Sequence, residues 1–307
     1  MTELDSMQFD GYKSGYVALV GKPNVGKSTL LNDYVGQMVA AVSAKPQTTR
    51  RRQLGILTLE NAQIVFVDTP GMHAGDYKLS KFINEEAQYA LVDADLILFI
   101  VDASQSPDAE DRALAEEILG LKEPPKVLLV MNKIDLISAD MLPMRRNQYS
   151  GLMAFTDMIE ISAVTAPGRE MLLEKVIALL PEGPRYFPED QITDTYEREI
   201  AEDLIRAAAL ENLHDEVPYG IFVRVDDYKA REDNLRYIHA TILVERDSHK
   251  GIVIGRRGTM IKKISTEARK KIEALSGEKV YLELKVKVEK NWRNNPDFLR
   301  RVGLSHD

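Results

Sequence analysis

The 307-residue sequence predicts an α/β domain, its mostly parallel sheet covered by helices on both faces, followed by a smaller α+β domain. Three observations predict it. Short apolar runs alternate with helical periodicity from Gly15 to about Leu180. The stretch PEGPRYFPED, 181–190, then breaks the pattern with three prolines and a glycine. Beyond it, both the order of elements and the charge change. Residues 246–301 carry 16 Lys and Arg against 7 Asp and Glu, in a chain whose net charge is −8. An acidic body joined to a basic segment implies two different partners.

The elements follow in order. YVALVG is a short apolar strand, and GKSTLLNDYVG reads as a helix. GILTLE and AQIVFVDT form a strand pair. LSKFINEEAQYALVDA has helical period, DLILFIVDA is a strand, and DAEDRALAEEILG a helix. KVLLVMNK and MIEISA are strands, and GREMLLEKVIALL is a closing helix. After the linker, TYEREIAEDLIRAAALENL is a long amphipathic helix. GIFVRVDDY and YIHATILVERD are strands, TMIKKISTEARKKIEALSG a helix and KVYLELKVKVEK a strand. The expected divisions are an N-terminal tail 1–12, a first domain 13–182, a linker 183–195, a second domain 196–290 and a C-terminal tail 291–307.

Composition excludes several classes of function. There is no cysteine, so disulfide and thiolate chemistry are ruled out, and a reducing, cytoplasmic setting is expected. The polar, acidic start does not read as a signal peptide. The longest strongly apolar run, ADLILFIVDA at 94–103, is too short to span a bilayer and suits a buried parallel strand. The five histidines show no metal-ligand spacing.

VALVGKPNVGKST places G-x-x-x-x-G-K-[ST] between a strand and a helix, which is the context a phosphate-binding loop requires. Gly21 and Gly26 let backbone N–H groups face phosphates. Lys22, Pro23, Asn24, Val25 and Thr29 complete the cradle. Lys27 reaches β/γ oxygens and the Ser28 hydroxyl can take Mg²⁺. VDTPG, 67–71, ends a strand. Asp68 there suits an acidic residue that holds Mg²⁺ through water, and the Gly71 N–H suits a γ-phosphate contact, with Thr69, Pro70 and Met72 lining the turn. In MNKID, 131–135, the Asp135 carboxylate can accept from both N1–H and the 2-amino group of guanine. Adenine would leave that carboxylate unpaired. Asn132 and the Lys133 stem position this loop and cover the base. Ser162 and Ala163, in EISAV, offer backbone N–H groups near guanine O6. The irregular segment VSAKPQTTRRRQ, 42–53, reads as a switch in which a threonine, Thr49 in preference to Thr48, closes on Mg²⁺ and the γ-phosphate.

These motifs and their order resemble the translation-factor-related GTPases. Followed by VIGRRGTMIKKI at 253–264, they resemble the Era-like family of bacterial GTPases, over about residues 13–300. The resemblance implies an α/β P-loop GTPase domain followed by an α+β type II KH domain. It implies hydrolysis of GTP to GDP with Mg²⁺, by way of Lys27, Asn24, Thr49, Asp68 and Gly71. The expected partner is single-stranded 3′-terminal 16S rRNA, with a role in maturation of the 30S ribosomal subunit. Peripheral contact with the inner face of the cell membrane is also implied, and a monomer is the default. Met72 stands where other GTPases carry a water-orienting glutamine. In relatives a K⁺ ion held by a residue matching Asn24 supplies that help, and K⁺ use stays open here. His73, beside Met72, is read as a bystander. In the second loop, Gly255 and Gly258 let the backbone approach a nucleotide chain while Arg256 and Arg257 meet phosphates. Ile254 packs the flanking helix, and Lys262 and Lys263 add charge. The alternative reading is a GTPase that regulates a membrane-associated or cell-cycle process, with RNA binding secondary.

Overall fold

The structure is a computed structural model that describes residues 11–42, 50–70, 77–165, 167–231 and 234–305. The described residues divide into two compact units. The first draws on 1–36, 52–69 and 87–194, and the second on 37–51, 70–86 and 195–307. The second unit therefore takes in two segments from within the expected first domain. Of the expected switch, the described residues Val42, Arg50 and Arg51 go with it, as do residues 77–86.

The first unit is a six-stranded sheet of β1 (Lys13–Val20), β2 (Gln53–Thr58), β3 (Ala62–Asp68), β4 (Leu96–Asp102), β5 (Lys126–Asn132) and β6 (Asp157–Glu160), in the order β2-β3-β1-β4-β5-β6. Only β2 runs antiparallel to its neighbour, as the first strand of a hairpin with β3. β3 and β4 are buried at every residue, which matches their unbroken apolar character. Helices α1 (Lys27–Val35), α2 (Lys78–Val92), α3 (Ala109–Leu119), α4 (Leu142–Ser150) and α5 (Arg169–Leu179) connect them. The first half of α2, to Glu86, belongs to the second unit. Helix α4 has no counterpart in the sequence reading. It is nine residues long, buries only Tyr149 and therefore leaves almost no periodic signal.

The second unit is built from α6 (Glu197–Asn212), β7 (Phe222–Arg231), β8 (Leu235–Val244), α7 (Asp247–Ile254), α8 (Thr259–Ser276) and β9 (Lys279–Val288). The sheet order is β7-β8-β9, with β7 and β8 antiparallel and β8 and β9 parallel. Alternate residues Ile238, Ala240, Ile242 and Val244 of β8 face the core. There they meet Ile264, Ala268 and Ile272 of α8, spaced four apart on one helical stripe. Helix α7 is a second element that periodicity alone does not reveal, being eight residues long and carrying Gly251 in its interior.

The segment expected as a C-terminal tail is folded. It forms a short 3-10 turn, Trp292–Asn294, and α9 (Pro296–Arg301). Trp292 is fully buried, packs against Phe222 and Phe298, and donates its indole N–H to the Gly220 carbonyl at 2.9 Å. Leu79, Phe82 and Ile83 of α2 join the same apolar cluster. Arg50 is buried in this unit too. It donates to the carbonyls of Ile221 (2.8 Å) and Tyr219 (3.3 Å), and lies 5.4 Å from the centre of the Trp292 ring. The tail is thus a cap on the second unit. Arg293 pairs with Glu245, and Arg301 lies over Phe298. Among the described residues no helix is long and apolar enough to cross a membrane.

Candidate functional site

In the first unit, β1, β3, β4 and β5 all end at the same edge of the sheet. Open parallel sheets gather ligand-binding loops at the carboxyl ends of their strands. Val20 leads into the glycine loop, and Asp68, Asp102 and Asn132 are the last residues of their strands.

The glycine loop is tightly sutured. Gly26 has φ 106°, and a Cβ there would sit 2.3 Å from the Asn132 side-chain nitrogen. A Cβ on Gly21 would meet the Ile100 carbonyl oxygen at 2.2 Å. Glycine is required at both positions by space as well as by backbone angle. Asn24, at φ 64°, takes the left-handed conformation without being glycine. Lys27 opens α1, is buried, and donates from Nζ to the carbonyls of Gly21 (2.7 Å) and Lys22 (2.9 Å). Burial lowers its pKa from 10.5 to about 8, and the nearby Asp68 charge only partly offsets that. Ser28 follows in the helix and donates its hydroxyl to Asp68 Oδ2 at 2.7 Å. A hydroxyl and a buried carboxylate thus converge on one point, a donor set suited to a hard divalent cation such as Mg²⁺. Thr69 is fixed by donating to the Leu19 carbonyl at 2.7 Å. Pro70 is the last described residue of its segment. Thr48, Thr49, Gly71, Met72 and His73 lie outside the described residues.

Asn132 ties three loops together. Its amide donates to the Val25 carbonyl at 2.7 Å, and its oxygen accepts from the Ala163 N–H at 2.9 Å. Lys133 takes φ 64°, and its ammonium meets Asp102 Oδ2 at 2.8 Å. Asp135 lies in a 3-10 turn, exposed. The expected O6 donors differ from expectation. The Ser162 N–H donates to the Pro167 carbonyl at 3.0 Å, and that of Ala163 is engaged by Asn132. An O6 contact from either needs those bonds to be shared or exchanged. Lys22 differs too. Its ammonium reaches Asp108 (2.6 Å) and Asp111 (2.8 Å) at the start of α3, which leaves its backbone N–H as its means of meeting a phosphate. Burial opposes the charge on Lys22, but these hydrogen bonds more than offset it, and its pKa is raised.

Asp102, Asp108 and Asp111 were not among the expected site residues. For Asp102 a signal existed, because it is an acidic residue closing a fully apolar strand, as Asp68 is. It also accepts from the backbone N–H and hydroxyl of Ser104. Although burial opposes its charge, hydrogen bonds from Lys133 and Ser104 hold its carboxyl below the usual range.

In the second unit, Gly255 has φ 73° and Gly258 φ 77°, with Arg257 between them also left-handed at φ 53°. The turn reverses the chain between α7 and α8. Arg256 and Arg257 are exposed, as are Lys262 and Lys263 on the first turns of α8, while Ile254 is packed against the core. The 18-residue α8 begins without a side-chain cap and without an acidic residue in its first turn. The positive dipole end of α8 therefore lies beside two exposed guanidinium groups, an arrangement suited to phosphate.

Both units resemble parts of known proteins. The family described as 50S ribosome-binding GTPase matches residues 16–133, and the KH domain family matches residues 216–293. The chain is 46% identical to GTPase Era of Ruminiclostridium cellulolyticum, over 95% of this chain and 97% of that protein. It is 47% identical to GTPase Era of a Geobacter species, over 95% and 98%. A crystal structure of an Aquifex aeolicus Era variant bound to GDP·AlF4⁻ superposes with a TM-score of 0.89 at 37% identity, covering 95% of this chain and 99% of that one. Era in complex with MgGDPNP and nucleotides 1506–1542 of 16S ribosomal RNA gives 0.89 at 38%, covering 96% and 99%. The nucleotide loops, the helix–strand–strand–helix–helix–strand order around the second glycine turn and these similarities lead to one conclusion: the chain is a GTPase belonging to the Era family, with a P-loop GTPase domain followed by a type II KH domain.

Proposed function

We propose that this GTPase couples its nucleotide cycle to capture of single-stranded RNA at the 3′ end of 16S rRNA, and acts in assembly and maturation of the 30S subunit. The observation that carries the reading is the exposed Gly255–Gly258 turn, with Arg256 and Arg257 beside the uncapped start of α8. Unpaired strands suit a KH loop, which clamps about four backbone nucleotides and leaves base edges to be read. The Era complex with nucleotides 1506–1542 of 16S ribosomal RNA supports the choice of RNA. The working division is a GTPase domain over 13–182 and a KH domain over 196–290, the latter capped by 291–304. We place the protein in the cytoplasm, with any membrane contact peripheral.

In the nucleotide site, Lys27 is poised to exchange its two carbonyl partners for β- and γ-phosphate oxygens and to neutralise charge that develops there. Ser28, Asp68 and Thr49 would hold Mg²⁺, which would supply further neutralisation of the phosphates. Gly71 would donate its N–H to the γ-phosphate. Water attacks the γ-phosphorus and GDP leaves. Asn24 offers a side-chain oxygen at the loop for K⁺, in place of the glutamine that Met72 replaces. Asp135, with Lys133 held by Asp102, would select guanine.

Turnover of GTP in potassium and in sodium buffer tests the chemistry, together with affinity for a single-stranded RNA of 16S 3′-terminal sequence. The expected result is Mg²⁺-dependent hydrolysis, faster in K⁺, with RNA affinity retained at moderate salt. Asp135→Asn should shift preference from guanine toward xanthine nucleotides. Preference for ATP, or no affinity for the RNA, would overturn the reading.

A further inference from the structure

We propose that the face of the β7-β8-β9 sheet turned away from α6 and α8 is a second RNA surface, on which an unpaired base stacks against Tyr281. The inference rests on the reading that the second unit binds single-stranded RNA, and it extends that binding beyond the glycine turn.

Strand alternation defines the face. Val280 and Val286 of β9 point into the core, so Lys279, Tyr281, Glu283, Lys285 and Lys287 point the other way. In β8, Tyr237 is the register partner of Tyr281. The two rings stack with centroids 5.9 Å apart and planes 18° apart. On Tyr237 the Arg231 guanidinium lies 4.2 Å from the ring centre. One cation and two aromatic rings therefore form a layered row across all three strands. The row ends on the edge strand with Tyr281, which is 57% exposed. An outer ring of this kind presents an open π-face, and stacking on such faces is how sheet-based modules hold unpaired bases.

Charge favours a polyanion over an apolar partner. The described residues of this face carry six cations, Arg224, Lys229, Arg231, Lys279, Lys285 and Lys287, against three carboxylates. Each carboxylate has its own partner. Asp226 is held by Arg224 and Thr241, Asp227 by Lys229, and Glu283 by Lys285 and Tyr237. The surplus is positive in a chain whose net charge is −8. Trp292 and Phe298 cover one end of the face at Phe222 and Leu243; protein interfaces are centred on apolar residues with few charges, and the remainder of the face has the reverse composition.

Strand β9 also links this face to the glycine turn. Its inward residues Leu282, Leu284 and Val288 pack in the same cluster as Ile254 and Met260, which flank that turn. From Val288 to Tyr281 the strand covers roughly 23 Å, seven residues at about 3.3 Å each. β9 is an edge strand of the sheet, so a strand of RNA leaving the turn has a path over it to Tyr281.

The test compares two single-stranded RNAs on the full-length protein, one of about four nucleotides to match the turn and one of about twenty containing it. Affinities are read by fluorescence anisotropy at a fixed moderate salt. Tyr281→Ala should weaken the long RNA by about 5- to 100-fold and leave the short one unchanged, while Tyr281→Phe retains affinity for both. Lys287→Glu should weaken the long RNA alone. Gly258→Asp should weaken both. Unchanged affinity of Tyr281→Ala for the long RNA overturns the second surface while the turn reading stands. Equal loss on both RNAs also overturns it, because Tyr281 would then act on the turn. Failure of the unaltered protein to bind either RNA overturns the underlying reading.

Discussion

The two glycine loops of this chain use the same backbone device in opposite settings. In the first, Gly21 and Gly26 are closed in by Ile100 and Asn132, and the loop's lysine is buried. In the second, Gly255 is closed in by Met260, 2.7 Å from where its Cβ would sit, but a Cβ on Gly258 would meet nothing nearer than Ile261 Cγ2 at 4.0 Å, and both arginines of the turn face solvent. The first loop is a preformed cradle for one nucleotide, fixed by contacts with β4 and β5. The second is an open clamp, suited to a polymer that must slide in from the side. Motif spacing alone makes the two look alike, and packing separates them.

The largest expected effect lies in the cap of the second unit. Trp292→Ala removes a fully buried aromatic and its hydrogen bond to Gly220, and should cost about 3–5 kcal/mol of stability, read by denaturant unfolding. A loss below about 1 kcal/mol would mean the cap is dispensable. Next, Lys27→Ala should lower GTP turnover by on the order of 10²–10³-fold while RNA affinity in nucleotide-free buffer is unchanged. Parallel losses in both assays would show that the loops are not separable.

The pH dependence follows from the buried Lys27. Its folded pKa, about 8, is below the unfolded 10.5. The folded state therefore binds fewer protons between those values, so stability rises with pH across that window. Nucleotide affinity should move the other way, weakening by up to about tenfold per pH unit above 8 as the empty site loses its ammonium. Titration calorimetry of GDP from pH 7 to 10 reads this, and a flat profile would place the phosphate contact elsewhere. Smallest is the paired glycine test. Gly258→Ala meets open space and should cost only the strain of its left-handed backbone, about 1 kcal/mol. Gly26→Ala must displace Asn132 and should cost more, with loss of nucleotide binding. Equal stabilities would erase the contrast between cradle and clamp.

Sequence carried the parts of the site whose chemistry is local. GKPNVGKS, DTPG, NKID and GRRG each encode a backbone shape within a few residues, and the strands between them are apolar enough to be read directly. Partners distant in sequence were not legible. Nothing near Lys22 announces Asp108, 86 residues on, and nothing near Arg50 announces the Ile221 carbonyl, 171 residues on. The same cause hid the grouping of residues 37–42, 50–51, 70 and 77–86 with the second unit, which packing decides. Two short helices, α4 and α7, were illegible because eight or nine residues bury too little to leave a period. Ser162 and Ala163 lie in the loop that Asn132 joins, and which acceptors their N–H groups meet depends on Pro167 and Asn132.

Gly258→Asp offers the most direct test, because the structure gives its side chain room, so that beyond about 1 kcal/mol of left-handed backbone strain the change is one of charge at the clamp. Affinities for a single-stranded 16S 3′-terminal RNA and for GTP are measured on one preparation. The account predicts loss of RNA binding by tenfold or more, about 1.4 kcal/mol, with GTP affinity unaltered. Undiminished RNA binding would contradict it.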